Sequence, residues 1–412
     1  MNRPNILALL ILLPALASGA SYLVPDDAAL VRAADAIGIV RVLSTHSSFT
    51  ADGRIATEVI VRVERGIERL HDGETAAIVT PGGVVGDLAM SVSSAPAFVP
   101  GERALVLLRE TGRGRYTILS GELGKFSFVL GPSSRELLVR GAGEREIFGW
   151  DLAGNRHLER ARDAARFLRF VESIAAGEAA EADYFRSGTR SVSSDAHVPP
   201  SDYVTLFNFS GGKLGARWPE GSFTMFSVGT EAAVSDLPAA IDRARNAWNT
   251  AAGAAIALGY GGPTTDATPK DYAKDDDRFL IFFDQKDCTS TEVANGTCPL
   301  ANDPLDGSTV GQATFWASSR PIVVGPSTFG TAVDCDIVIE LGLGGNLFEE
   351  VLAHEMGHCL GFRHSNDPGE GQVTNTGDAL MNSTVRGTRG AVLREWDGDA
   401  ASHVYPAVCE GP

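Results

Sequence analysis

Apolar and polar positions alternate with a period of two along the first third of the chain. Over residues 55–63, Thr57, Val59, Val61 and Val63 fall on one face and Glu58 and Arg62 on the other, the pattern of a strand with one buried side. Strand-like runs recur at 38–43, 76–80, 104–109, 116–119 and 126–130, separated by Asp52-Gly53, Asp72-Gly73, Pro81-Gly82-Gly83 and Pro100-Gly101. Short strands at this spacing predict a small antiparallel barrel or sandwich. A short helix precedes them, with Leu30, Val31 and Ala34 helically spaced behind Asp26 and Asp27, either of which can cap it. The run at 81–86 lacks the glycine spacing of a phosphate loop and reads as a turn.

The period then changes. Leu158, Ala161, Ala165, Leu168, Val171 and Ile174 predict an amphipathic helix over 156–176. Residues 177–202 lose all periodicity and fill with Gly, Ala, Glu, Ser and Pro, which predicts a linker. Beyond it, strands at 222–228, 278–283, 312–317 and 335–341 mix with helices at 236–258, 347–360 and 393–405. The expected fold class is therefore α+β: a β-rich domain over 21–176, then a mixed domain over 203–412.

Composition narrows the setting. A chain of 412 residues makes two or three domains. Its 52 acidic against 35 basic residues give a net charge of −17, which repels phosphate backbones and argues against nucleic acid as a partner. Residues 6–17 are an apolar run broken by Pro14, too short to span a bilayer but suited to a secretory signal over 1–20, with Ala17 or Ala20 at the cleavage site. No later segment holds eighteen uninterrupted apolar residues, so no membrane span is expected and the chain should be secreted or periplasmic. In that oxidising setting the five cysteines become informative. Cys288 and Cys298 flank a polar loop and make one candidate bridge. Cys359 with Cys409 is a second, which would leave Cys335 a buried thiol; spacing alone does not decide the pairing.

The chemistry concentrates in eleven residues. His354 and His358 stand at i and i+4 of a predicted helix, so both imidazoles leave one face about a turn apart. Glu355 lies beside them, close enough to reach a water without being a ligand. Gly361 can end the helix in the left-handed conformation and bring His364 round as a third ligand. Three nitrogen donors with an open fourth position describe a catalytic zinc site. With His at 8 of 412 positions, a chance HExxH is roughly a 1% event before Gly361 and His364 are added.

This segment resembles the extended zinc signature of the metzincin metalloproteases, HExxHxxGxxH followed by a Met-turn. Ala379-Leu380-Met381 and Ser365 are similar to the matrixin branch, as is the upstream order of strand, long helix, edge strand and Cys335-Asp336-Ile337-Val338 strand. The resemblance implies a twisted, mostly parallel sheet with long helices, Met381 as an apolar floor beneath the metal, and Zn2+ as cofactor. Less specifically, the N-terminal strands resemble the OB-type barrel of netrin-like domains, without their cysteines. The interval from His364 to Met381 is longer than in matrixins. Its Asn366, Asp367, Glu370, Asn375 and Asp378 leave open a solvated loop or a Ca2+ site. No Cys precedes Cys288, so a thiol cannot hold the enzyme latent. Control by the N-terminal domain would need another ligand or steric cover; Asp195 and His197 read as ordinary linker residues.

The expected function is a secreted zinc metalloendopeptidase, hydrolysing protein or peptide substrates by a zinc-activated water with Glu355 as general base. Substrate backbone would add along the edge strand Gln312, Ala313, Thr314, Phe315, Trp316 and Ala317. The rivals are a binding or regulatory protein with a vestigial peptidase half, and a zinc hydrolase of non-peptide bonds.

Overall fold

The computed structural model of the chain describes residues 21–22, 25–112, 114–130, 135–140, 147–150, 156–159, 161–185, 200–229, 231–268, 271–283, 305, 309–365 and 379–407. The N-terminal part opens with β1 (Ser21–Tyr22) and α1 (Asp27–Ala33). It continues through β2 (Ala36–Phe49), β3 (Ile55–Glu68), β4 (Thr75–Pro81), β5 (Gly83–Val85) and β6 (Leu88–Val92). Then come β7 (Arg103–Gly112), β8 (Arg115–Ile118), β9 (Lys125–Leu130), β10 (Glu136–Arg140) and a ribbon of β11 (Ile147–Trp150) with β12 (Arg156–Glu159). β13 (Arg162–Asp163) leads into α2 (Ala164–Ala175).

β8 pairs with both β4 and β7, so β7, β2, β3, β4 and β8 close into a five-stranded barrel. The period-two pattern explains its two cores. In β2 and β7, Ala36, Val40, Val42, Ala104, Val106 and Leu108 fill one cluster with Val59, Val61 and Val63 of β3. The intervening Ile37, Ile39, Leu105 and Leu107 pack outward against α1 and α2. Asp26 caps α1 by accepting from Ala29 N–H at 2.7 Å, as expected.

The second half begins with β14 (Leu206–Phe209), β15 (Gly212–Arg217) and β16 (Ser222–Val228), followed by α3 (Leu237–Asn249). β17 (Ala257–Thr264), β18 (Phe279–Phe283), β19 (Thr309–Val324) and β20 (Ser327–Ile339) lead to α4 (Gly345–Cys359) and α5 (Glu395–Val404). The sheet runs β17-β16-β18-β20-β19-β6-β5, its first four strands mutually parallel and β19 antiparallel to β20. No helix among the described residues is long and apolar enough to cross a membrane.

Four expectations need correction. The helix drawn over 236–258 stops at Asn249, because Thr250 caps it and Gly253 takes a positive φ. Ile256 and Leu258 are buried all the same, on either side of exposed Ala257 where β17 begins. The helix drawn over 156–176 forms only from Ala164; residues 156–159 are strand. Residues 177–185 are not free linker. Tyr184 is buried between Phe167 and Phe170, and its hydroxyl donates to the buried Asp27 carboxylate at 2.8 Å, which also binds Arg140 and Arg162. Finally, Cys359 bonds Cys335, not Cys409. α4 packs on the sheet that carries β20, which brings the two Cα atoms to 5.5 Å, a normal bridging distance. Cys288, Cys298, Cys409, Asp195, His197, the signal at 1–20 and the acidic loop at 366–378 lie outside the described residues.

Candidate metal centre

α4 is a central helix buried on every side along roughly its last two and a half turns: each residue from Val351 to Cys359 is buried. Such a helix needs its polar ends satisfied within the protein. At its C-terminus Trp218 Nε1 donates to Cys359 O at 2.6 Å and Tyr405 Oη donates to Leu360 O at 2.6 Å. Gly361 then adopts φ +92, with Gly361 N–H on His358 O at 2.8 Å and Phe362 N–H on Gly357 O at 3.0 Å. That is a Schellman end, and a Cβ at Gly361 would come within 2.3 Å of Ala216 O. The emerging chain is pinned by Arg363 N–H on Tyr203 O at 3.0 Å and by Ser365 N–H on Met381 O at 2.8 Å. His364 is thereby carried back over the helix.

His354, His358 and His364 converge, with one nitrogen from each lying within 4.8 Å of the others. Nδ1 of His354 lies 2.7 Å from Leu380 O and Nδ1 of His358 lies 2.8 Å from Phe362 O. A carbonyl oxygen can only accept, so both rings carry their proton on Nδ1 and aim an Nε2 lone pair inward. These lone pairs meet at 2.9 Å, and His354 Nε2 meets His364 Nε2 at 3.1 Å. Lone pairs facing at that range repel unless a cation lies among them. Tetrahedral zinc with Zn–N bonds of about 2.0–2.1 Å would hold its nitrogens about 3.3 Å apart, so a small adjustment admits the ion. Burial holds His354 well below the ordinary histidine range and His358 at about 4, which keeps both neutral as ligands must be.

That depression has a sign. The unfolded chain would take up protons near pH 6.5 that the folded His358 refuses until about 4. The contribution of this residue to stability is therefore full above the unfolded pKa and is lost as pH falls from about 6.5 to 4, by about 3 kcal/mol in all. Burial pushes the Asp334 and Asp397 carboxyls up to about 7 and about 6, which acts in the opposite sense. The measurement is therefore a difference. In the zinc-free chain, thermal unfolding from pH 7 to 4.5 should lose more stability in the wild type than in His358→Phe. Parallel curves would contradict the assignment.

Glu355 is fully buried between α4 and β19. A Cβ on Gly311 would lie 2.9 Å from its Oε1 and 2.5 Å from Val351 Cγ1, so glycine at 311 leaves the carboxylate its space. Met381 is buried too, and a Cβ on Gly357 would lie 2.2 Å from its Sδ and 2.7 Å from Trp248 Cζ2. The helix backbone therefore sits directly on the methionine. Asp397 of α5 secures that turn by accepting from Leu380 N–H at 2.7 Å and Met381 N–H at 3.0 Å. Gly311, Gly357 and Asp397 carried no sequence signal: two are single glycines among 46, and the carboxylate acts across a turn from another helix.

The six edge residues share β19. Ala313, Phe315 and Ala317 pack on the α4 side, whereas Trp316 faces the opposite cluster with Val338 and Phe282. Gln312 and Thr314 bond Tyr272 Oη on that second side, at 2.6 and 3.0 Å. All six are buried, and β6 pairs along this edge from Thr314 onward. The Asp276 and Asp277 N–H groups donate to Asp334 at 2.7 and 3.0 Å, so the acidic run at 275–277 serves a strand entrance. Among the described residues the histidine triad is the group of side chains placed to hold a metal ion. No family model and no curated protein matches the chain.

Proposed function

We propose that the chain is an exported zinc endopeptidase of metzincin type, with Zn2+ held by His354, His358 and His364. The observation carrying this reading is the meeting of three imidazole nitrogens in a buried site beside Glu355, under a strand whose outer edge can take extended backbone. The order β17-β16-β18-β20-β19, four mutually parallel strands and then antiparallel β19, supports it as well.

Bound there, zinc would polarise a carbonyl and lower the pKa of water from 15.7 towards ~7. The protein's own groups supply the rest. Glu355, held off the ligand cluster but adjacent to it, takes the proton of the attacking water and returns one to the leaving amine. The β19 edge orients the scissile backbone through main-chain hydrogen bonds, so recognition is of extended peptide rather than of one side chain. Met381 and Gly357 keep the ligand helix seated.

The test is a zinc titration of the chelator-stripped full chain with quenched-fluorescence peptides and casein. One zinc per chain should bind, and cleavage should stop with 1,10-phenanthroline and return with zinc. Absence of zinc binding would refute the proposal. So would absence of chelator-sensitive cleavage both in the wild type and in the Val92→Asp variant described below.

A further inference from the structure

The outer edge of β19 is occupied by the N-terminal half of the same chain. β1 pairs with it at Thr309 and Gly311, and β6 pairs with it from Thr314 to Ser318. Between them, Ser93 N–H donates to Ala313 O at 2.9 Å and Ala313 N–H donates to Ser93 Oγ at 2.9 Å. β6 runs antiparallel to β19, filling the ladder positions that an added peptide strand would use.

The alternation of β6 divides its side chains between two jobs. Met90 and Val92 are buried against Trp316 and Val338, on the face away from α4. Ser93 faces α4, and its hydroxyl donates to Glu355 Oε2 at 3.3 Å. The strand ends there: Ala95 N–H bonds Val92 O at 3.0 Å, closing a turn through Ser93 and Ser94, and Ser94 Oγ meets Gln312 Oε1 at 2.5 Å. The chain thus arrives at the carboxylate in extended form and turns away, instead of crossing the site as a cleavable peptide would.

The other end of the hairpin is fastened to the barrel. Gly82 N–H donates to Ile55 O at 2.8 Å, and Thr57 Oγ1 donates to Gly82 O at 2.7 Å. Gly83, at φ +138, leaves no room for a side chain: a Cβ would sit 2.3 Å from Ser47 Oγ. The glycines read from sequence as a plain turn are what let the hairpin lie flat between barrel and peptidase sheet.

We propose that residues 83–94 are a built-in inhibitory strand, which fills the peptide-binding edge of β19 and holds Glu355 through the Ser93 hydroxyl. Hydrolysis then starts only when this strand leaves the edge. The inference rests on the peptidase reading of the site.

The experiment uses the zinc-loaded full chain, Val92→Asp and Ser93→Ala. An unpaired carboxylate at the buried position 92 disfavours the seated strand, whereas Ser93→Ala removes two hydrogen bonds and no apolar packing. Freeing the edge should raise kcat/KM on a quenched-fluorescence peptide about tenfold or more in Val92→Asp, and a few-fold in Ser93→Ala. A fluorescein-labelled peptidyl hydroxamate reports the same release without turnover, and should bind Val92→Asp about tenfold more tightly than wild type. Equal turnover and equal hydroxamate affinity in all three chains overturn the inhibitory strand and leave the peptidase standing. Tighter hydroxamate binding with no cleavage in any chain overturns the peptidase and leaves the strand. If Val92→Asp does not fold, Ser93→Ala decides by the same two readings.

Discussion

In the Val92→Asp background, Glu355→Gln is expected to lower kcat by about 10²–10⁴-fold while the chain still binds one zinc. Both halves follow from position. The three inward-facing nitrogens come from His354, His358 and His364, and Glu355 is not among them, so removing its charge takes away no ligand. Its carboxylate nonetheless lies beside Gly311, where a Cβ would come within 2.9 Å of Oε1, and accepts from the Ser93 hydroxyl at 3.3 Å. Glutamine keeps the shape and cannot take the proton. Metal analysis and steady-state kinetics on the same preparation decide the point. Activity within about threefold of the parent would remove Glu355 from the chemistry. Loss of zinc would instead make it part of the ligand set.

The parts of the fold that were legible in the sequence are those governed by local periodicity or by a dense spacing of rare residues. β16 falls where 222–228 was drawn, and Val59, Val61 and Val63 are buried together as their alternation required. The short strands predicted as a barrel or sandwich close into a small barrel of five strands. The histidine triad was readable because i and i+4 on a helix leave one face, and Gly361 because only a left-handed residue lets the chain return so soon. Features that depend on distant parts of the chain were not readable. β6 is five residues long, with serine and alanine between its apolar positions, and it is a strand because β5 and β19 flank it. Tyr184 looked like linker because its partner, Asp27, lies at the far end of the same domain. The Cys335–Cys359 bridge joins a strand to a helix across the layer between them, and cysteine spacing carries no record of that layer. Domain boundaries drawn along the chain also miss that β1, β5 and β6 belong to the sheet of the second half.

Asp397→Ala should cost about 3–5 kcal/mol of stability in the zinc-free chain, because it strands two buried N–H donors and a partly buried third at about 1–3 kcal/mol apiece with some relaxation. The donors are the N–H groups of Leu380 at 2.7 Å, Met381 at 3.0 Å and Arg394 at 2.7 Å. The effect should reach the metal, since Leu380 O is the acceptor that sets the His354 ring and Met381 lies against the ligand helix at Gly357. Loosening that turn is expected to weaken zinc binding by about 10–100-fold, the usual scale for partners that orient a ligand. Asp397→Asn tests the need for both oxygens. The carboxylate accepts from Met381 N–H on one oxygen and from Leu380 and Arg394 N–H on the other, so the amide keeps one acceptor and sets an NH2 against the remaining N–H, and it should recover only part of what alanine loses. Urea unfolding of the zinc-free variants and competitive zinc titration measure the two effects separately. A loss below about 1 kcal/mol for alanine would mean that the turn holds its conformation without Asp397. Unchanged zinc affinity beside a large stability loss would show that the ligands are oriented by α4 and Phe362 O alone.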